Sequence, residues 1–148
     1  MAEPITPQAF AANANRLHES LLPGALGVTL EAVEAGQVTA RLEAERRHMA
    51  PNGFLHAASV IALADTACGY GCVASLPAGA SGFTTVELKS NFLGSARPGE
   101  TVGCEARMVH GGRTTQVWDA QVVNRTTGKA MALFRCTQLI LYPPPPAE

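Results

Sequence analysis

The sequence predicts an α+β fold in which one antiparallel sheet packs against a long buried helix. Residues 57–76 are apolar or small around every face apart from Asp65, and a helix of this kind is either buried or membrane-spanning. Six other segments alternate apolar and polar residues with the period of a strand. Short turns between successive segments are typical of hairpins. The 148 residues therefore predict a single domain, 1–148, with a substantial core.

The first element is an N-terminal helix within residues 1–24. Apolar residues recur at three- and four-residue spacing from about Pro7 to Leu22, which is the pattern of a helix. Thr6 is the expected N-cap, because proline is favoured at the first helical position, and the following Pro-Gly pair ends the helix. Two strands separated by a glycine turn follow, with apolar positions Leu26, Val28, Leu30 and Ala32, then Val38, Ala40 and Leu42.

Four further strands follow the central helix and a turn over residues 77–82. In the first of them, apolar residues alternate with polar ones: Val86, Leu88 and Phe92 against Thr85, Glu87, Lys89 and Asn91. The other three strands alternate around residues 102–108, 118–122 and 130–136, and the short breaks at 96–99, 110–112 and 124–128 predict an antiparallel meander of all four strands. Residues 142–148 form a proline-rich tail that is expected to have no core to join.

Composition and charge argue against several classes of function. The net charge of −1, without a basic run, argues against nucleic-acid binding. The four cysteines have no zinc-site spacing, so we expect no metal and reduced thiols in a cytoplasmic protein. The first ten residues lack the basic and apolar regions of a signal peptide. The central run is long enough to span a bilayer, but Asp65 lies inside it and no cation flanks it closely, so no membrane span is expected.

Asp65 and the start of the central helix together supply the groups that acyl transfer requires. The helix is expected to begin near His56 and Ala57, where free N–H groups and the helix dipole can hold a carbonyl oxygen. A carboxylate near that carbonyl can act as a general base on water or attack directly. The alternative for Asp65 is a structural carboxylate that caps a loop or pairs with a cation. The alternative for His56 is a capping or packing residue.

The spacing between these groups constrains the assembly. Eight residues separate Ala57 from Asp65, which is about 12 Å along an α-helix, so one chain cannot place both groups on one carbonyl carbon. Two copies of the helix, packed antiparallel about a twofold axis, would bring Asp65 of one chain to the helix start of the other. A functional site therefore predicts a C2 homodimer with shared active sites.

The stretch from Gly53 to Ala67 reads G-x-x-H-A-A-x-x-x-A-L-A-D-T-A. It resembles the G-x-x-H-G-G-x-x-x-x-L-A-D/E motif of hotdog-fold acyl-CoA thioesterases, in particular the phenylacetate-degradation (PaaI) type and the 4-hydroxybenzoyl-CoA thioesterase of the same branch. The resemblance continues at residues 91–93, 111–115 and 118–119 and covers roughly residues 25–141. It implies a sheet wrapped around a long central helix, a dimer with a continuous sheet and often a tetramer of two dimers. No cofactor is implied, because coenzyme A is part of the substrate.

The resemblance also implies roles for individual residues. Asp65 matches the catalytic acid that activates or replaces the attacking water, and His56 matches the motif histidine. Ala57 matches the residue whose N–H polarises the thioester carbonyl. Thr85, with Thr84 as the alternative, falls near the residue that orients water. Contacts with substrate or coenzyme A are implied for Asn52, Gly53, Arg113 and Thr114, with Arg97 and Lys89 as further candidates for its phosphates.

Two departures from the family pattern bear on function. Ala57 and Ala58 stand where the motif has Gly-Gly, and Ala50 stands where the family often has Asn or Gln, with Asn52 as a candidate substitute. We expect hydrolysis of an aryl- or medium-chain acyl-CoA to the free acid and coenzyme A. The alternative is a non-catalytic hotdog protein that binds acyl-CoA. A hotdog dehydratase is less favoured, because such enzymes generally pair a catalytic histidine with an acid in a different motif.

Overall fold

The computed structural model describes residues 4–146 and has the predicted α+β architecture. Its elements in chain order are α1 (Pro7–Leu17), α2 (Leu22–Ala25), β1 (Val28–Glu34), β2 (Gln37–Glu43), α3 (Ala57–Ala74), β3 (Gly82–Phe92), β4 (Thr101–Gly111), β5 (Thr115–Asn124) and β6 (Lys129–Leu141), with a 3-10 turn at Arg46–His48. Residues 1–3 of the N-terminal segment and residues 147–148 of the proline-rich tail lie outside the described residues.

The six strands form one antiparallel sheet in the order β1-β2-β4-β5-β6-β3. β3 pairs with β6 rather than with β4, so the predicted meander is correct for β4, β5 and β6 but wrong for β3, since β2 takes the place beside β4. α3 lies across one face of this sheet and contacts every strand. Leu63, Ala67 and Cys68 are fully buried on the sheet-facing side of the helix. This is the hotdog fold that the motif implied, and it leaves β3 at one edge with no strand beside it among the described residues.

The helix and the sheet come close together at Gly71. A Cβ atom at this position would lie 2.5 Å from the ring of Trp118 on β5, so only glycine lets the helix come this close. The Trp118 Nε1–H donates to Gln116 Oε1 at 2.8 Å, and Gln116 Nε2 donates to the carbonyl of Ser75 at the end of α3, also at 2.8 Å. Both side chains are buried, so these hydrogen bonds fix the C-terminal end of the helix on the sheet.

The N-terminal segment confirms the predicted cap, but its helix ends earlier than expected. Thr6 Oγ1 accepts a hydrogen bond from the Ala9 N–H at 3.1 Å, as an N-cap should. α1 ends at Leu17 rather than near Leu22, and a turn separates it from α2. His18 is the reason, because its buried ring turns inward and its Nε2 lies 3.2 Å from the carbonyl of Val28. A carbonyl oxygen only accepts, so Nε2 carries the proton.

Two β-bulges change the predicted alternation of buried residues. The register of β1 shifts between Leu30 and Ala32, so Val33 becomes the buried residue and Ala32 is only half-buried. The register of β3 shifts between Thr85 and Glu87, which leaves Val86 57% exposed. The prediction that Val86 faces the core was therefore wrong. Bulges arise from the pairing of two strands, which the alternation within one strand does not reveal.

α3 is long and apolar enough to cross a membrane by length and composition alone. The core helix of a globular protein passes the same test, and α3 packs on the sheet as such a helix does. The expected absence of a membrane span stays a prediction.

Replacing Gly71 by Ala is expected to cost about 1–3 kcal/mol in the free energy of unfolding relative to the Gly69→Ala protein, because the added methyl group overlaps the Trp118 ring. Gly69→Ala is the matched control. Both changes raise the helix propensity of α3, but a Cβ at Gly69 would meet only the rim of Phe83, at 3.3 Å. Urea denaturation measures the difference, and equal stability of the two proteins would contradict this packing.

Candidate active site

The loop before α3 is a closed, hydrogen-bonded turn. Met49 and Leu55 form a β-bridge, and the Ala50 N–H donates to the carbonyl of Phe54 at 2.7 Å. Gly53 has a φ of +83°, which favours glycine, and Asn52 Oδ1 accepts from the Phe54 N–H at 3.1 Å. Asn52 and Gly53 therefore shape the turn that leads to the helix.

His48 anchors this loop, and the sequence did not identify it as part of the site. Its ring is buried, and its Nδ1 accepts a hydrogen bond from the Glu45 N–H at 3.0 Å. Its carbonyl accepts from the His56 N–H and from the Ser59 hydroxyl, both at 2.9 Å. The first turn of α3 is thus tied to the turn before the loop. No sequence pattern distinguishes His48 from a surface histidine, because its partners are set by the fold.

His56 is the N-cap of α3. Its φ of −66° and ψ of 139° are extended, and its Nδ1 accepts a hydrogen bond from the Ala58 N–H at 2.9 Å. Ala57 is the first helical residue, and no group within residues 4–146 accepts a hydrogen bond from its N–H. This N–H therefore lies free at the positive end of an 18-residue helix.

Asp65 lies two turns further along α3, on the side away from the sheet. It is half-buried, and its Oδ1 is buried without a hydrogen-bond partner among the described residues. None of residues 4–146 forms an ion pair with it. Burial raises the pKa of its carboxyl above the ordinary value. A structural role for Asp65, as a cap or as one member of an ion pair, thus has no contact to support it in the described part of the chain.

Asp65 borders a shallow cavity of about 290 Å³. The floor is the outer face of α3 beyond Asp65, and the walls are Pro23 of α2 and Phe83 of β3. Neither wall residue was identified from the sequence, since each reaches the helix only through the fold. The carboxylate therefore faces an open space bounded mainly by apolar groups.

Thr85 lies on the helix-facing side of β3, because it pairs in register with Gln138 of β6 and Gln138 is buried on that face of the sheet. Its hydroxyl donates to Gln138 Oε1 at 2.7 Å, so its oxygen remains available to accept a hydrogen bond. Thr84 is exposed on the opposite face. Of the two alternatives, only Thr85 thus faces the side of the sheet that carries Asp65.

Arg113 and Thr114 lie far from the helix start of their own chain. They occupy the β4–β5 hairpin, next to Gln116, which binds the carbonyl of Ser75 at the opposite end of α3. The Arg113 guanidinium stacks over the ring of Tyr142, 5.5 Å from its centroid. The structure therefore does not bring Arg113 and Thr114 together with Ala57 within one chain.

The two other candidate cations are also separated. The Arg97 guanidinium lies 5.0 Å from the centroid of the Phe54 ring, beside the loop that precedes α3. Lys89 lies on the face of the sheet away from α3, where it pairs in register with Arg135. Of the two, Arg97 is the cation at the helix start.

A sheet wrapped around a long helix is the arrangement of the hotdog fold, and within residues 4–146 that helix has a free N-terminal N–H and a carboxylate without a partner. The chain belongs to the thioesterase superfamily, which matches residues 52–131. It is 30% identical over 112 residues to a 1,4-dihydroxy-2-naphthoyl-CoA hydrolase of Listeria monocytogenes, covering 76% of this chain and 89% of that protein.

Two further similarities extend this assignment. The chain is 27% identical to the acyl-coenzyme A thioesterase PaaI of Escherichia coli, covering 83% of this chain and 85% of that protein. A Streptococcus mutans protein solved with bound acetyl-CoA superimposes with a TM-score of 0.72 at 25% identity, covering 78% of this chain and 90% of that one. The protein is thus a thioester hydrolase of the PaaI-like group.

The Asp65→Asn protein is expected to be more stable than the wild type at neutral pH, with an advantage that shrinks as the pH falls. Because burial raises the pKa of Asp65, the folded wild type loses stability as the pH rises from the unfolded value, about 4, through the folded value. Asparagine does not titrate and avoids this loss. Urea denaturation across this range measures the difference, and a difference independent of pH would contradict the raised pKa.

Proposed function

We propose that the protein hydrolyses an aryl- or medium-chain acyl-CoA to the free acid and coenzyme A. The observation that carries the proposal is Asp65, an unpaired carboxylate facing an open cavity on a helix whose first N–H is free. The relatives named for acyl-CoA hydrolysis and the structure solved with acetyl-CoA support this substrate class.

Asp65 and the backbone N–H of Ala57 have different roles in the proposed reaction. Asp65 removes a proton from water as the water oxygen attacks the thioester carbon, and the Ala57 N–H donates to the developing oxyanion. The carbon–sulfur bond then breaks and the proton passes to the departing thiolate. In the alternative path, the Asp65 carboxylate attacks the carbonyl carbon, and the carbon–sulfur bond breaks to release the coenzyme A thiolate and leave a mixed anhydride. Water then hydrolyses the anhydride to the free acid and the Asp65 carboxylate, and the proton that water releases passes to the thiolate. A raised pKa makes this carboxylate a stronger base near neutral pH.

Other residues position the reactants. The Thr85 oxygen can accept a hydrogen bond from the attacking water, since its proton is donated to Gln138. His56 holds the first turn of α3 through its bond to the Ala58 N–H and so orients the neighbouring Ala57 N–H. Asn52 and Gly53 maintain the turn next to the carbonyl.

The proposed site is shared between two subunits. Ala57 and Asp65 lie about 12 Å apart on the same helix, which is too far for both to reach one carbonyl carbon. In the proposed dimer, Asp65 of one chain therefore completes a site with Ala57 of the other. Ile61 is midway between them and only partly buried, which makes it the natural position of the twofold axis. The edge strand β3 supports the same arrangement, because its free edge can pair with a second copy and its Phe92 is 45% exposed.

This antiparallel arrangement also accounts for the separated candidate cations. The C-terminal end of one α3 points toward the N-terminal end of the other, so Arg113 and Thr114 would approach the substrate bound at the partner's helix start. Arg97 beside the loop would serve the phosphates of coenzyme A within its own chain. A cytoplasmic location and the pairing of two dimers into a tetramer complete the proposal.

The Asp65→Asn protein is expected to lose about 10²- to 10⁴-fold in kcat/KM, because the amide cannot accept a proton from water. Release of free thiol from a panel of aryl- and medium-chain acyl-CoAs measures turnover. Asp119→Asn is the matched control, since this carboxylate pairs with Arg135 on the outer face of the sheet. Undiminished turnover in the Asp65 variant would contradict the mechanism, and saturable wild-type binding without turnover would favour the non-catalytic alternative.

The Ala57→Pro protein is expected to fold normally and to lose about 10²- to 10³-fold in kcat, because proline removes only the N–H that polarises the carbonyl. His56 already has the extended conformation that a residue before proline requires. Ala57→Ser, which keeps the N–H, is the control. A fully active Ala57→Pro protein would contradict the role of this N–H.

Mixing the two inactive variants tests whether the site is shared. A mixed dimer of Asp65→Asn and Ala57→Pro chains has one defective site with both substitutions and one site with neither. Co-expressed variants carrying different affinity tags are therefore expected to recover up to about half of the wild-type activity per mixed dimer, as C2 symmetry requires. If mixed dimers form and remain inactive, the two residues do not meet across subunits.

A further inference from the structure

We infer that the acyl group extends past Asp65 into an apolar groove between α1 and the C-terminal half of α3, which selects medium to long straight acyl chains over short or single-ring acyl groups. This inference rests on the proposed function and names its substrate class. Two adjoining cavities along α3, and the residues that line them, support it.

The floor of the groove is one stripe of α3. Asp65, Gly69 and Val73 recur every four residues, and all three lie on the side of the helix away from the sheet. The stripe extends about 12 Å from the carboxylate to Val73 at the rise of an α-helix. A straight acyl chain whose carbonyl lies at Asp65 can follow this stripe, whereas a single aromatic ring ends partway along it.

Two cavities meet on this stripe. The cavity beside Asp65 and a second one of about 380 Å³ share Tyr70 and Val73 among their lining residues. The second cavity is walled by α1, chiefly through Phe10 and Leu17. The two cavities therefore adjoin along one side of α3 and together reach from the carboxylate to the N-terminal helix; the two together are the groove.

The far end of the groove offers an alkyl chain little but apolar contact. The lining side chains of the second cavity are apolar except for Asn13 and the hydroxyl of Tyr70. The Tyr70 hydroxyl lies 3.1 Å from His18 Nδ1 and 3.4 Å from the carbonyl of Ala14, so the polar atom of Tyr70 is already engaged. Leu17 is 71% exposed, and an exposed apolar side chain that lines a concave apolar surface is typical of a binding site.

The proposed dimer leaves this part of the stripe free. The partner's helix begins at its own Ala57, which lies over Asp65, so residues 66–74 extend beyond the end of the partner's helix. The acyl group is the occupant in line with the carboxylate, because the stripe begins at Asp65.

The test compares acetyl-, hexanoyl-, decanoyl- and benzoyl-CoA on the wild type and on two variants that narrow the groove from opposite sides, Val73→Trp and Leu17→Trp. In the wild type, kcat/KM is expected to rise at least about tenfold from hexanoyl- to decanoyl-CoA, since each buried methylene contributes up to about fourfold. In each variant, kcat/KM is expected to fall about tenfold with decanoyl-CoA and less than about twofold with acetyl-CoA. Val109→Trp, at an exposed valine of β4, is the matched control.

The outcomes separate the inference from the proposed function. Thiol release that is independent of chain length, or unchanged by both groove variants, overturns the inference and leaves the hydrolase proposal intact. A change of oligomeric state in both variants on size-exclusion chromatography, without a change in chain-length preference, also overturns it, because a second copy then fills the groove. No thiol release from any acyl-CoA by the wild type contradicts the proposed function, and the inference falls with it.

Discussion

The contact between Gly71 and Trp118 determines how α3 lies on the sheet. With no side chain at Gly71, the helix packs directly on a buried indole ring, and Gln116 holds both the ring and the carbonyl of Ser75. This contact fixes the rotation of the helix about its axis as well as its height above the strands. The rotation directs Leu63 into the core and leaves Asp65 on the opposite side. The position of the carboxylate is thus a consequence of packing on the other face of the same helix.

The architecture was largely predictable because it follows from local periodicity. The central helix, the order of helices and strands along the chain and the Thr6 cap were expected from the sequence and are present. The position of β3 beside β6 was not expected, because it depends on pairing between strands that are distant in the chain. The end of α1 was not, because it depends on His18 reaching the carbonyl of Val28 on another element. The bulge at Val86 was also missed, since the register of an edge strand is set by its neighbour β6 rather than by its own alternation.

The candidate site was predictable only where one residue type was out of place. A single carboxylate in an apolar helix identified Asp65, and the helix start identified His56 and Ala57. Their neighbours were not predictable, because His48 and Gln138 are ordinary polar residues until the fold brings them to Ser59 and Thr85. The placement of Arg113 at the opposite end of α3 from Ala57 likewise required the topology of the β4–β5 hairpin.

The free edge of β3 has a consequence for the newly made chain. A strand of 11 residues that is paired on one side only among the described residues, and that has exposed apolar side chains, is a template on which another extended chain can add, which is how aggregates begin. The bulge at Val86 interrupts that template, and the charged side chains of Glu87 and Lys89 flank the rest of it. These features act as gatekeepers against misassembly. The bulge and the charges disfavour pairing with an unrelated strand, but a strand with the same bulge and complementary charges can still pair with this edge. The edge of β3 is therefore selective for the strand that pairs with it.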